Sequence, residues 1–97
     1  MVVTWHAVRR ARERYDPRLT AADVRRDVEA AIREGRDRVR PPREIRFART
    51  RRHEGCRYVW TEALDHCYLV RRVRSRDAER EPIVVVITAL MGVGGAA

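Results

Sequence analysis

The chain has 97 residues, a length that fits a single domain over residues 1–97 with a modest hydrophobic core. It carries 22 basic and 14 acidic residues, for a formal charge of +8, and every basic residue is arginine. Because 44% of its residues are hydrophobic, the composition excludes a chain that stays disordered. The positive charge favours polyanionic partners, with nucleic acid first, an acidic protein second and an anionic membrane third.

The two ends of the chain predict neither secretion nor membrane insertion. Residues 1–10 lack the apolar stretch of about 7–15 residues that a signal peptide needs. Residues 82–97 are uncharged and mostly apolar, but this stretch is shorter than the ~20 residues of a membrane-spanning helix. We expect a buried strand there, followed by a flexible, glycine-rich tail from about residue 92. Two cysteines do not make a disulfide framework, so we expect a cytoplasmic protein with no membrane partner.

Two helices are predicted near the N-terminus, over residues 5–15 and 21–34. Thr4 and Thr20 each precede a helical pattern, at the position where a side-chain oxygen caps the first turn. A proline shortly after residue 15 ends the first helix, and Gly35 is suited to end the second.

The rest of the chain predicts strands. Residues 36–43 form a basic connector that two prolines keep extended. Alternating, β-branched and aromatic patterns then predict four strands, at 45–47, 57–61, 66–73 and 83–91. We therefore expect an α+β fold, in which the two N-terminal helices pack on a small, mostly antiparallel four-stranded sheet.

The apolar positions predict which surfaces meet in the core. Helical phasing gives the first helix a core side made of Trp5, Ala7, Val8, Ala11 and Tyr15. The core side of the second helix includes Val24, Val28 and Ile32. On the sheet, we expect the helices to cover a face with Ile45, Phe47, Trp60, Leu69, Val85 and Ile87. A turn between the second and third strands would place Trp60 opposite Cys67.

The polar side of the first helix is the leading candidate for chemistry. His6, Arg10 and Arg14 are spaced four residues apart, so they line up along one side of the helix, with Arg9 beside them. A neutral imidazole accepts a proton, and guanidinium groups hold phosphate oxygens through paired hydrogen bonds. A solvated basic helix face is the structural alternative.

The same segment resembles a known group of proteins. Residues 4–14, T-W-H-A-V-R-R-A-R-E-R, resemble the H-A-x-x-R-x-x-E-R opening of small phage and bacterial proteins in the barnase–EndoU–colicin–RelE group of RNase-toxin folds. The predicted order of two helices, a basic connector and an antiparallel sheet is also similar. The resemblance implies RNA cleavage by His6, Arg10 and Arg14, with Thr88 on the final strand orienting the phosphate.

A second basic region extends from residue 36 to residue 57. It holds nine arginines against three acidic residues. Together with Arg9, the candidate nucleic-acid-binding residues there are Arg40, Arg43, Arg49, Arg51 and Arg52. The neighbouring aromatic residues are candidates either for stacking on bases or for the core, and these are Phe47, Tyr58 and Trp60.

No metal or cofactor is expected. His53, Cys56, His66 and Cys67 lie close together in sequence, but their spacing is not a zinc pattern. Adjacent residues on a strand point to opposite faces, so His66 and Cys67 do not suit one ion. The general acid of a cleavage reaction is left open among His53, His66 and Tyr68.

These observations favour an RNA-binding domain that acts as a metal-independent endoribonuclease. Two alternatives stay open. One is a non-catalytic nucleic-acid-binding or regulatory protein, and the other is a module whose arginines bind an acidic protein partner or an antitoxin. The sequence does not indicate the oligomeric state.

Overall fold

The computed structural model describes residues 1–41, 43, 55–73 and 83–90. The helices are α1 (Trp5–Arg14) and α2 (Ala21–Arg33). The strands are β1 (Val2–Val3), β2 (Asp37–Arg38), β3 (Arg57–Trp60), β4 (Cys67–Val73) and β5 (Ile83–Ala89). Neither helix reaches the length that a membrane crossing requires, within this described part of the chain.

The predicted helix boundaries are confirmed by their caps. The Thr4 side chain accepts a hydrogen bond from the Ala7 amide at 3.1 Å. Thr20 and Asp23 form a reciprocal capping box, in which each side chain accepts a hydrogen bond from the other residue's backbone amide. Gly35 follows α2 with a φ of +79°, a left-handed conformation that glycine adopts without strain. Local side-chain chemistry therefore decides where both helices start and where α2 ends.

Within the described residues, the sheet has five strands in the order β1-β5-β4-β3-β2. β1 runs parallel to β5, and the other neighbouring strands are antiparallel. The α+β class is confirmed, but the prediction of four strands is wrong: β1 and β2 are two-residue strands, too short for a periodic pattern to reveal. The three longer predicted strands within the described ranges are confirmed, and Trp60 pairs with Cys67 as expected. The predicted strand at 45–47 and the tail from residue 92 lie outside the described residues.

The helices cover one face of the sheet. Val24 and Val28 of α2 are fully buried, as predicted. On the sheet, this helix-side core contains Val59, Tyr68, Val70, Val86 and Ala89. The predicted sheet face is wrong, because Trp60, Leu69 and Ile87 belong to a second cluster with Cys56, Tyr58, Cys67 and Leu90. Successive side chains of a strand point to opposite faces of the sheet. Choosing the wrong face for one residue therefore puts all of its same-face neighbours on the wrong side as well.

Trp5 also departs from its predicted place in the core. Its relative exposure is 68%. The guanidinium carbon of Arg12 lies 5.4 Å from its ring centroid, a cation–π contact at the surface. Helical phasing puts Trp5 about 100° or more from the buried side of α1, which is centred on Ala7 and Ala11.

Candidate functional site

His6, Arg10 and Arg14, which we call the α1 row, lie on one side of α1 as predicted. His6 and Arg9 are exposed, and Arg10 is partly exposed. Glu13 pairs with Arg10 at 2.9 Å and with Arg9 at 3.4 Å. Ion pairs this exposed are weak, so a phosphate competes readily for these guanidinium groups.

Arg14 is the member of the α1 row that the fold holds most firmly. Its Nη1 donates a hydrogen bond to the Ala89 carbonyl, at the end of β5, at 2.6 Å. A guanidinium has five N–H donors, so this bond leaves others for a ligand. Arg14 therefore has a fixed position next to the sheet.

Thr88 does not join the α1 row. It pairs with Leu69 across the β4–β5 ladder, and Leu69 belongs to the cluster on the face away from the helices. Cross-strand partners lie on the same face of a sheet, so Thr88 and the α1 row are on opposite sides of β5. The Thr88 hydroxyl lies 3.4 Å from the Ala89 carbonyl.

The second basic region is described only in part. Arg40 and Arg43 are exposed, which suits the predicted contact with nucleic acid. Arg49, Arg51 and Arg52 lie outside the described residues, as does Phe47. Tyr58 is fully buried and Trp60 packs against the same cluster, so the core interpretation holds for both.

A different group of side chains meets between the helices and the start of β4. We call it the Asp27–His66 cluster, and its members are Tyr15, Asp27, His66 and Tyr68. The Nδ1 of His66 lies 3.2 Å from Oδ2 of Asp27, and the Tyr68 hydroxyl donates to the same oxygen at 3.2 Å. The His66 ring also stacks on Tyr15, with centroids 4.5 Å apart and planes at 12°. The imidazole is thus held at one nitrogen and across one ring face.

Tyr15 ties this cluster to the backbone. Its hydroxyl lies 2.5 Å from the Leu90 carbonyl and 2.7 Å from the Cys67 carbonyl. The same oxygen accepts a hydrogen bond from the Cys67 amide at 3.1 Å. Burial raises the pKa of both Tyr15 and Tyr68, so neither hydroxyl ionises readily. Tyr15 therefore supports His66 rather than exchanging protons itself.

The surroundings of His66 favour its protonated form. The hydrogen bond with Asp27 raises the pKa of His66, and partial burial opposes this effect. The carboxylates of Asp65 and Asp16 add attraction for the proton. The Nε2 atom lies 3.9 Å from Oδ2 of the exposed Asp65. An imidazole in this setting is suited to donating a proton near neutral pH.

Sequence reasoning found this cluster only in part. His66 and Tyr68 appear among the predicted candidates for a general acid, whereas Asp27 and a site role for Tyr15 were missed. Asp27 and His66 are 39 residues apart, and no local spacing connects them. The available signal was the position of Asp27, which directly precedes Val28 and so lies beside the apolar side of α2.

The shifted pKa of His66 predicts a pH-dependent stability. Its folded-state pKa lies above the unfolded value of about 6.5, so the stabilisation is complete below that pH and is lost as pH rises through the folded-state pKa. The measurement is the difference in unfolding free energy between about pH 6 and about pH 8.5, and we expect this difference to be smaller in Asp27→Asn than in the parent chain. Glu29→Gln, an exposed charge change on the same helix, is the matched control. An equal pH dependence in Asp27→Asn and the parent chain would contradict the prediction.

Among the described residues, no group of three histidine, cysteine, aspartate or glutamate side chains could hold a metal ion. Comparison of the chain with models of known families, with curated proteins and with solved structures finds no match.

Proposed function

We propose that this domain binds RNA along the α1 row and cleaves it without a metal ion. The observation that carries this proposal is the line of guanidinium groups on α1, which runs from the exposed Arg9 and the partly exposed Arg10 to Arg14, fixed by its bond to Ala89 beside the Asp27–His66 cluster. The net charge of +8 adds a long-range attraction for a polyanion.

The α1 row supports phosphate binding by its chemistry and its spacing. Arg10 and Arg14 are one helical turn apart, about 6 Å along the axis, and both are partly exposed. Guanidinium groups bind phosphate oxygens in pairs and neutralise charge that builds up during reaction. Arg9 adds an exposed positive charge on α1, and the exposed Arg40 and Arg43 follow β2, at the edge of the sheet opposite β1.

RNA supplies its own nucleophile in the proposed reaction. The ribose 2′-oxygen attacks the adjacent phosphorus and the bond from phosphorus to the 5′-oxygen breaks, which leaves a 2′,3′-cyclic phosphate and a 5′-hydroxyl. The protein then needs only to hold the phosphate and to move protons, so the step requires no metal. The assignment of proton acceptor to His6, made from sequence, stays a prediction.

The test is to incubate the purified chain with a labelled single-stranded RNA, and with the DNA of the same sequence, in EDTA. We expect cleavage of the RNA, with cyclic phosphate ends, and intact DNA because DNA lacks the 2′-hydroxyl. If RNA is bound but stays intact, the domain is a non-catalytic nucleic-acid-binding module. If RNA is not bound even at low salt, the acidic-protein alternative replaces RNA binding.

A further inference from the structure

The proposed cleavage needs a group that gives a proton to the departing 5′-oxygen. His53, His66 and Tyr68 are the three candidates from sequence. His53 lies outside the described residues. Tyr68 is fully buried and already donates its hydroxyl hydrogen to Asp27. Of the two described candidates, His66 keeps one ring nitrogen, Nε2, outside its contact with Asp27, and its side chain is partly exposed.

We propose that His66, held in place by Asp27, is the general acid that protonates the leaving 5′-oxygen. This inference rests on the proposed function and names the proton donor within it.

The fixed orientation of His66 is the first support. With Nδ1 directed at Asp27, the ring nitrogen left for a substrate is Nε2. A carboxylate on one imidazole nitrogen fixes the tautomer and the ring orientation, and it stabilises the imidazolium form. Stacking on Tyr15 removes further freedom, and the side chain stays 19% exposed. A positioned donor of this kind loses little entropy on reaching a substrate.

The position of His66 relative to the α1 row is the second support. Tyr15, which stacks on His66, directly follows Arg14 in the chain. Arg14 bonds the carbonyl of Ala89, and Ala89 pairs with Tyr68 of the Asp27–His66 cluster. A phosphate held by Arg14 is therefore at the His66 end of the row. His6 is nine residues before Tyr15, about 13 Å away along the helix axis.

The charges around His66 are the third support. Asp27 faces it from α2, Asp65 from the turn before β4, and Asp16 from the segment after α1. All three favour the imidazolium, the form that donates a proton. They also repel a phosphate, which makes the fixed guanidinium of Arg14 necessary for substrate to approach. Arg18 offsets part of this repulsion through its ion pair with Asp16 at 3.3 Å.

The step balances as a single displacement. The 2′-oxygen forms a bond to phosphorus while its proton passes to a base or to water. The bond from phosphorus to the 5′-oxygen breaks, and the electron pair on that oxygen takes the proton from Nε2 of His66. The neutral imidazole then regains a proton from solvent before the next turnover.

The experiment compares two RNA substrates in EDTA, one natural and one with sulfur in place of the bridging 5′-oxygen. A thiolate leaves without a proton, so it does not need a general acid. We expect His66→Ala to lower the cleavage rate of natural RNA about 10²–10⁴-fold and that of the sulfur substrate less than about tenfold. Asp27→Asn keeps the imidazole but removes the carboxylate that raises the pKa of His66. In this variant the cleavage rate should therefore begin to fall at a lower pH than in the parent chain. Glu29→Gln is the control for charge on α2.

Each other outcome overturns the inference. If wild-type protein cleaves both substrates and His66→Ala cleaves natural RNA normally, His66 is not the acid while RNA cleavage stands. An equal loss on both substrates would make His66 a structural residue or a proton acceptor. If the sulfur substrate restores cleavage by His6→Ala but not by His66→Ala, His6 is the general acid. Failure of wild-type protein to cleave either substrate would remove the proposed function itself.

Discussion

Replacing Tyr15 with alanine is expected to lower the free energy of unfolding by about 3–5 kcal/mol, as for other large aromatic residues in cores. The ring packs against the helix-side core and stacks on His66. Its hydroxyl also accepts a hydrogen bond from the Cys67 amide and lies within hydrogen-bonding distance of the Cys67 and Leu90 carbonyl oxygens. A domain of this size has about 5–15 kcal/mol of stability in total, so the loss is severe. Chemical denaturation followed by circular dichroism measures it.

Two further variants separate the parts of this effect. Tyr15→Phe keeps the ring and removes the hydroxyl, and should cost about 1–3 kcal/mol because buried backbone groups lose their partner. Trp5→Ala removes another aromatic side chain from α1 that is mostly exposed, and should cost about 1 kcal/mol or less, in the range of one exposed cation–π contact. Equal losses for Tyr15→Ala and Trp5→Ala would contradict the assigned role of Tyr15.

Replacing Arg9, Arg10 and Arg14 together with alanine is expected to weaken binding of single-stranded RNA on the order of 10²-fold at low salt. Each phosphate that is no longer neutralised removes ~0.7 from the slope of log affinity against log salt, so the slope should fall by about 2. Fluorescence anisotropy across a salt series measures both quantities. Thermal unfolding checks that loss of the Arg14 bond to Ala89 leaves the fold intact.

The matched control for this triple variant lies on the other helix. Arg25, Arg26 and Arg33 are exposed on α2, and their replacement removes the same charge from the chain. If binding depends on the arginines of α1, the control should lose much less affinity than the α1 variant. Equal losses would mean that RNA responds to net charge alone, and that α1 is not the binding surface.

The contrast between the predicted and observed fold follows from the range of the interactions. Thr4, Thr20 and Gly35 act on backbone groups within a few residues, so the sequence predicted both helices closely. The face of the sheet that meets the helices depends on packing between distant segments. Trp60 and Leu69 lie on one face of the sheet, and their neighbours Val59 and Tyr68 lie on the other. All four are apolar or aromatic, so the pattern alone does not say which pair faces α1 and α2.

The candidate site shows the same division. The α1 row follows from helical spacing on one element, and the structure keeps His6, Arg10 and Arg14 on one side of α1. Thr88 was joined to them through the resemblance, and its pairing with Leu69 puts it on the other face of the sheet. The contact between Asp27 and His66 forms only when α2 packs on the start of β4, so no stretch of sequence contains it.

The parallel pairing of β1 with β5 has a consequence for how the chain is made. The Thr4 hydroxyl bonds the Val86 carbonyl 82 residues further on, and Val2 and Val3 pair with Val85 and Val86. Closing a loop of that length costs about 4 kcal/mol of entropy beyond the constant term. During synthesis, β1 and the start of α1 have no sheet partner until β5 has been translated. The complete sheet therefore forms only once β5 has been translated, and a nascent chain that stops before β5 leaves the apolar side of α1 without its main packing partner.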